Sequence, residues 1–320
     1  MAGINRFNLR GAQIHYENAG EQIMDLSQMG SVSFKTGTSK YDVIPAGQVD
    51  IEQVMMSHAD PMVEIGTPDI YTVLFHLPAS LNGRELYTGE LSHIEFAERD
   101  NAGTFLSTGT NYLDMIISNG VFFLDSISVQ QDDPKGAQAT MQLHLLAPDA
   151  LGLTRPVSIN KLAVQTADPA FNTCYYLAPT YFDAVRQDGV LGWTYNTNIN
   201  FTKDRFDGEV YPLKGAISTR GATLSVRFAN FEHLITGGFL ANLDQGCILS
   251  PGIELYLRQA DQCGTRVADN VSNHIYIQLP EAVYDINDLS ATDNEDGTVT
   301  VDFRILGTPI VSVAQTIPKT

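Results

Sequence analysis

Apolar and polar positions alternate through much of the chain. In ATLSVRF, Leu224, Val226 and Phe228 fall on one face and Ser225 and Arg227 on the other. GIELYLR alternates through Ile253, Leu255 and Leu257, HIYIQL through Ile275, Ile277 and Leu279, and GTVTVDFRI through Val299, Val301, Phe303 and Ile305. Successive strand side chains point to opposite faces, so a two-residue period predicts half-buried antiparallel strands. In the N-terminal half, SVSF, QVDIEQV, YTVLFHL, VFFLDSISV and ATMQLHL predict further strands. QDDPKG at 131–136 reads as a turn, and Asp296-Gly297 as the turn of a hairpin, because glycine supplies positive φ. Helical spacing is confined to NFEHLITGGFLANL from Asn230, where Phe231, Leu234, Ile235 and Leu240 share a stripe that Gly237-Gly238 interrupts. The expected class is all-β, mainly an antiparallel β-sandwich or barrel with few short helices.

The pattern also repeats. FKTGTSKYDVIPAG from Phe34 returns as FTKDRFDGEVYPLKG from Phe201. DSISVQQDDPKGAQATMQLHL at 125–145 matches NDLSATDNEDGTVTVDFRI at 287–305, and the proline-led RPVSI and TPIVSV close the two halves. A repeat of this kind predicts two similar domains in tandem. The expected division is an N-terminal arm at 1–24, a first β-domain at 25–162, a connector at 163–189 and a second β-domain at 190–320. Phe171, Tyr175, Tyr176, Tyr181 and Phe182 make that connector too aromatic for a flexible linker. A single large sandwich with similar short strands is the alternative.

Composition narrows the function. The 320 residues are 43% hydrophobic and 18% charged, as in an ordered globular protein. There are 37 acidic residues against 19 basic, a net charge of −18, spread over both halves. Such a surface repels phosphate, which excludes an ordinary nucleic-acid or anionic-membrane binder. It serves plain solubility, or else forms a wall that nucleic acid passes without sticking. No apolar run is long enough to span a bilayer. MAGINRFNLRGAQIHYENAG lacks the apolar core of a signal peptide, so folding in a cytoplasm is expected. Cys174, Cys247 and Cys263 are odd in number, contain no CxxC pair, and are expected as reduced thiols.

Catalytic patterns are missing. The sequence has no GxGxxG, GxxxxGK[ST], HExxH or GxSxG. Seven histidines are scattered; His76 and His144 fall inside strand patterns, as polar-face or satisfied core residues. His58 lies two residues from Asp60, a pair too small to define a site. TDNEDG at 292–297 starts on threonine where a calcium loop needs aspartate. No catalytic residue, cofactor or metal is expected, and the chain reads as a non-enzyme.

The repeated loops carry the functional expectation. The second places Phe206, Val210, Tyr211 and Leu213 among Lys203, Asp204, Arg205, Asp207, Glu209 and Lys214. The first places Tyr41, Val43 and Ile44 beside Lys35, Lys40 and Asp42. Apolar anchors in a mixed-charge frame suit a protein contact. Either the loops are intramolecular flaps, or they are docking arms that reach other subunits along a stacking axis. In the second case, deleting 203–209 would leave the fold intact and block polymerisation.

GWTYNTNINFTKDRFDGEVYPLKGAISTRGATLSVRFANFEHL, with SPGIELYL, HIYIQLPEAVY and DGTVTVDFRILGTPIVSV, resembles a tail tube protein of a long-tailed bacteriophage. The resemblance covers the second half well and the first half through the repeat. It implies a small β-sandwich or barrel with one flanking helix, sheets joined around a ring, and a long hairpin docking on the next ring. Such rings hold six domains, so two domains per chain imply a pseudo-six-fold trimer. The implied partners are the protein itself, other tail proteins (tape measure, terminator, and sheath where the tail contracts) and DNA that passes without specific binding. No membrane is implied. The expected location is the virion, after synthesis in the host cytoplasm. A capsid decoration protein and a carbohydrate-binding or adhesin module are the competing readings.

Overall fold

The computed structural model describes residues 7–26, 28–43, 53–77, 83–98, 112–162, 173–205, 208–229, 248–249, 252–261, 264–292 and 295–318. The chain is all-β: within these residues every strand pairing is antiparallel, and a single helix is present. Two five-stranded sheets take one half of the chain each. The first runs β12 (Val157–Leu162), β9 (Tyr112–Ile117), β8 (Ser92–Glu98), β1 (Phe7–Glu17), β2 (Glu21–Leu26). The second runs β14 (Val185–Gln187), β13 (Cys174–Phe182), β20 (Ile253–Ala260), β21 (His274–Leu279), β24 (Ile310–Gln315).

A ten-stranded sheet crosses both halves. From one edge it runs β3 (Ser31–Lys35), β6 (Met62–Thr67), β11 (Gln138–Leu145) and β10 (Gly120–Gln130). It continues through β15 (Val190–Asn196), β18 (Thr223–Phe228), β23 (Glu295–Leu306) and β22 (Glu281–Thr292) to β19 (Ile248–Leu249). The short β7 (Arg84–Glu85) pairs beside β10. The seam between the halves is β10 on β15, with Ser126 opposite Asn196, Ile127 opposite Tyr195, Ser128 opposite Thr194, Val129 opposite Trp193 and Gln130 opposite Gly192. The order of pairings on the two sides of the seam corresponds. The register of β10 on β11 slips between Leu124 and Ser126, and that of β22 on β23 slips between Ile286 and Asp288 and again between Ser290 and Thr292.

Alternation is what makes these strands. β11 buries Ala139, Met141, Leu143 and Leu145 and leaves the residues between them half-exposed. β18 buries Leu224, Val226 and Phe228. One apolar cluster takes side chains from both five-stranded sheets and from the ten-stranded sheet, including Ile14, Ile94, Leu143, Trp193, Val226, Leu255 and Ile277. Phe182 of β13 packs on Phe303 of β23 (5.2 Å) and Phe228 of β18 (6.1 Å). Each fully buried side chain of this size contributes about 1.5–3 kcal/mol.

Four expectations change. Of the arm expected at 1–24, residues 7–24 are part of the first sheet, because Phe7–Glu17 and Glu21–Leu26 are strands; a register slip between Leu9 and Gly11 obscures their alternation. Much of the connector at 163–189 is β13 and β14, where Tyr175, Tyr181 and Phe182 are core residues. Pro179 lacks an N–H, and the register of β13 on β20 slips around it, between Leu177 and Thr180. YTVLFHL belongs to the helix α1 (Ile70–His76), whose first turn is capped by the Asp69 carboxylate accepting from Thr72 N–H. Ile70, Val73, Leu74 and Leu77 are buried at helical spacing. Asp296 and Gly297 lie within β23, and the chain reverses between Thr292 and Glu295, which pair. QDDPKG is a turn, with Gly136 at φ +70° and the Asp133 carboxylate accepting from Lys135 N–H. QVDIEQV is described only from Gln53, where β5 (Gln53–Ala59) begins, and the segment from Asn230 lies outside the described residues.

Candidate assembly surface

Each copy of the repeated loop is a two-stranded arm outside the main sheets. The first, β4 (Thr38–Val43) on β5, leaves between β3 and β6; the second, β16 (Ile199–Asp204) on β17 (Lys214–Arg220), leaves between β15 and β18. The root of the second arm is fixed by Thr197, whose hydroxyl donates to the Leu124 carbonyl (2.7 Å), and by Asn198 at φ +46°. The Asn198 amide donates to the Gly221 carbonyl and the Thr223 hydroxyl, at 2.9 and 3.0 Å.

The tip of the second arm lies on the first half of its own chain. Val210 carbonyl accepts from Ala59 N–H (2.9 Å), and Pro212 carbonyl from Ala147 N–H (2.8 Å). Val210 and Tyr211 N–H both donate to the Gly152 carbonyl, at 3.1 and 3.0 Å. Gly152 has φ +64°, and a Cβ there would stand 2.8 Å from Glu209 Cβ and 2.9 Å from the Tyr211 carbonyl, so only glycine lets the tip settle. Its loop is shaped by Asp149, whose carboxylate accepts from Leu151 and Leu153 N–H and, with the largest effect, from Thr154. These bonds hold that carboxyl at about 2, below the usual carboxylate range.

Charge reinforces the backbone contacts. Arg205 donates to Asp60 Oδ1, and Lys203 Nζ lies 3.8 Å from the same oxygen. Phe201 stacks on the His144 ring at 4.8 Å, and His144 stacks on Phe123 at 5.3 Å. A cavity of about 450 Å³ opens here, lined by Lys35, Gly37, Asp60, Met62, His144, Phe201, Lys203 and Arg205. Burial, with help from the nearby Lys203 charge, pushes His144 down to about 4. Burial also lowers the pKa of Lys203, against the pull of Asp60.

The residues expected at subunit contacts therefore separate. Lys203, Arg205, Glu209 and Tyr211 meet the first half of their own chain, and Asp204 accepts from Leu213 N–H at the base of the tip. Lys35 pairs with Glu64 at 3.3 Å. Lys40 and Asp42 are exposed on β4, and Tyr41 is opposite Met55. Ile44, Phe206 and Asp207 lie outside the described residues. Asp60, His144, Gly152 and Phe201 were not foreseen. Asp60 and His144 are remote in sequence from the arm they hold, and only Phe201 stands in the quoted repeat.

Among the described residues, other polar groups form pairs within or beside the first sheet. His93 Nδ1 meets Asp114 Oδ2 at 2.7 Å and Arg10 pairs with Glu95 at 3.2 Å, both across neighbouring strands of the first sheet. The His76 ring meets the Tyr16 hydroxyl at 2.9 Å. Among the described residues no three His, Cys, Asp or Glu side chains converge as a metal site, and no helix is long and apolar enough to cross a membrane. No protein-family model matches the chain, and no curated protein is similar to it.

Proposed function

We propose that the protein is a structural virion subunit that polymerises as stacked rings into a hollow tail tube conducting phage DNA. Each ring is a trimer with pseudo-six-fold symmetry. In this reading the two halves are copies of one tube domain, the second entering at β13. The observation that carries it is the ten-stranded sheet, which passes from one half to the other through a strand-to-strand seam and, among the described residues, ends on strands paired along one side for most of their length. A head-to-tail contact that repeats gives a closed ring if its rotation closes.

Two further features support the reading. The first arm stands outside the sheets with Val54 and Met56 exposed, where contacts to a neighbouring ring would be made. The net charge of −18 suits a lumen that holds DNA off: basic contacts would release counterions and trap a duplex, whereas repulsion is screened within about 8 Å at physiological salt. The protein acts without catalysis or a cofactor. Its partners are further copies of itself and the other tail proteins. Negative-stain microscopy of the purified protein tests this: long hollow polymers with an annular repeat are expected. Small particles at every concentration would overturn the tube and favour a decoration protein.

A further inference from the structure

The strands at the two ends of the ten-stranded sheet can be matched to the two strands of its internal seam. β3 and β15 hold the same station. Val32 is opposite Ile65, itself opposite Met141, as Trp193 is opposite Val226, itself opposite Val301. β22 and β10 hold the other station. Leu124 is opposite Met141 and, after a slip of one residue, Ser126 is opposite Thr140; Ile286 is opposite Val301 and, after the same slip, Asp288 is opposite Thr300. Even the short flanking strand recurs, β7 beside Val121 and Phe122, β19 beside Ala282 and Val283.

What differs is occupancy. β15 has β10 along one side, and there Trp193 and Tyr195 are 2% and 0% exposed. The matching Val32 and Phe34 reach the core but are only half-buried, and among the described residues β3 pairs with β6 alone. Likewise β22, beyond Val283, pairs among the described residues only with β23. An edge strand leaves a row of N–H and C=O groups unpaired and templates another strand. Each end of this sheet offers the station that the other end lacks, so a second copy of the chain supplies both.

Resting on the ring reading above, we propose that β22 of one chain pairs antiparallel with β3 of the next in the register of the internal seam. That register sets Asp288 opposite Lys35, Leu289 opposite Phe34, Ser290 opposite Ser33, Ala291 opposite Val32 and Thr292 opposite Ser31. The pairs are chemically matched although β10 and β15 did not dictate them: one acid with one base, two apolar pairs, two hydroxyl pairs. Such pairs are the unit by which strands stabilise and select one another.

Cysteine pairing reads the register directly. An S33C chain mixed with an S290C chain should form a disulfide dimer on mild oxidation, above the background of the native cysteines. An S31C chain mixed with an S290C chain, two positions out of step, should give about tenfold less, since thiols set that far apart cannot bridge without backbone movement. Microscopy of the same samples separates the two ideas. Rings or tubes that give no S33C–S290C dimer, or equal yields from both mixtures, would overturn the register and leave the tube standing. Protein that never assembles would overturn both. A chain carrying S33C and S290C together that oxidises only within itself would show that β22 folds back on its own β3, and would also overturn the proposal.

Discussion

The two arms are the same device with different fates. Each leaves the ten-stranded sheet between strands of matching order; the first carries Lys40 and Tyr41 on β4, and the second carries Lys203 and Lys214 on its ribbon and Tyr211 at its tip. The second arm lies on its own chain through four backbone contacts, a stacked ring and Asp60. The first arm presents Val54 and Met56, 58% and 50% exposed, on β5. A two-stranded ribbon is marginal by itself, so its order comes from what it lies on. The difference teaches that a repeated loop need not have a repeated neighbour inside the chain. The loop that holds the second arm, residues 146–156 between β11 and β12, has only residues 307–309 in its place between β23 and β24.

The sharpest way to break this comparison is to unseat the second arm. G152V puts a branched side chain at φ +64° against Glu209 and the Tyr211 carbonyl, and should cost about 3 kcal/mol in chemical denaturation. Deleting 203–209, harmless to the fold on sequence grounds, should also destabilise, because it removes the Lys203 and Arg205 contacts to Asp60. An unchanged denaturation midpoint in either variant would mean that the arm is not held as described. D60A leaves those two half-buried cations without their shared carboxylate and should cost about 2 kcal/mol.

A pH series sharpens the same contact. His144 titrates at about 4 in the fold and near 6.5 when unfolded, so the unfolded chain takes the proton first. Stability from this group is complete above pH 6.5, is lost as pH falls from 6.5 to 4, and is flat below. The loss should be about 2 kcal/mol after allowing for the partly open ring. H144F should flatten that limb relative to the native chain; parallel curves would sink the assignment. The smallest effect belongs to the first arm. V54D with M56D should change stability by no more than about 0.5 kcal/mol while reducing assembly, measured by sedimentation. Full assembly by this variant would remove the first arm from the contact.

How much was legible depended on regularity. β11 and β18 alternate without interruption and were readable residue by residue, and β20, β21 and β23 show the same period in sequence, although Tyr256 of β20 is buried between Leu255 and Leu257. β1 and β13 carry register slips at Gly11 and Pro179, which break the period, and so they passed for an arm and a connector. YTVLFHL satisfies a strand period and a helical one at once, and the Asp69 cap decides between them. In the assembly surface the arm residues were visible because they repeat. Their counterparts were not: Asp60 is 145 positions from Arg205, and Gly152 is one glycine among 26.

Gly192 has a mechanical consequence. It lies in the internal seam opposite Gln130, where a Cβ would stand 2.6 Å from the Val129 carbonyl, so the two backbones meet more closely than a side chain would allow. The position matched to it on β3 is Ser31, whose side chain would hold a β22–β3 seam further apart at that point. In the proposed β22–β3 pairing the seam between chains would grip less tightly than the β10–β15 seam. Under tension a polymer built from both would part between chains before it parted within one, and the fragments would carry intact β10–β15 pairs. Pulling a single filament should therefore give rupture steps that release whole chains.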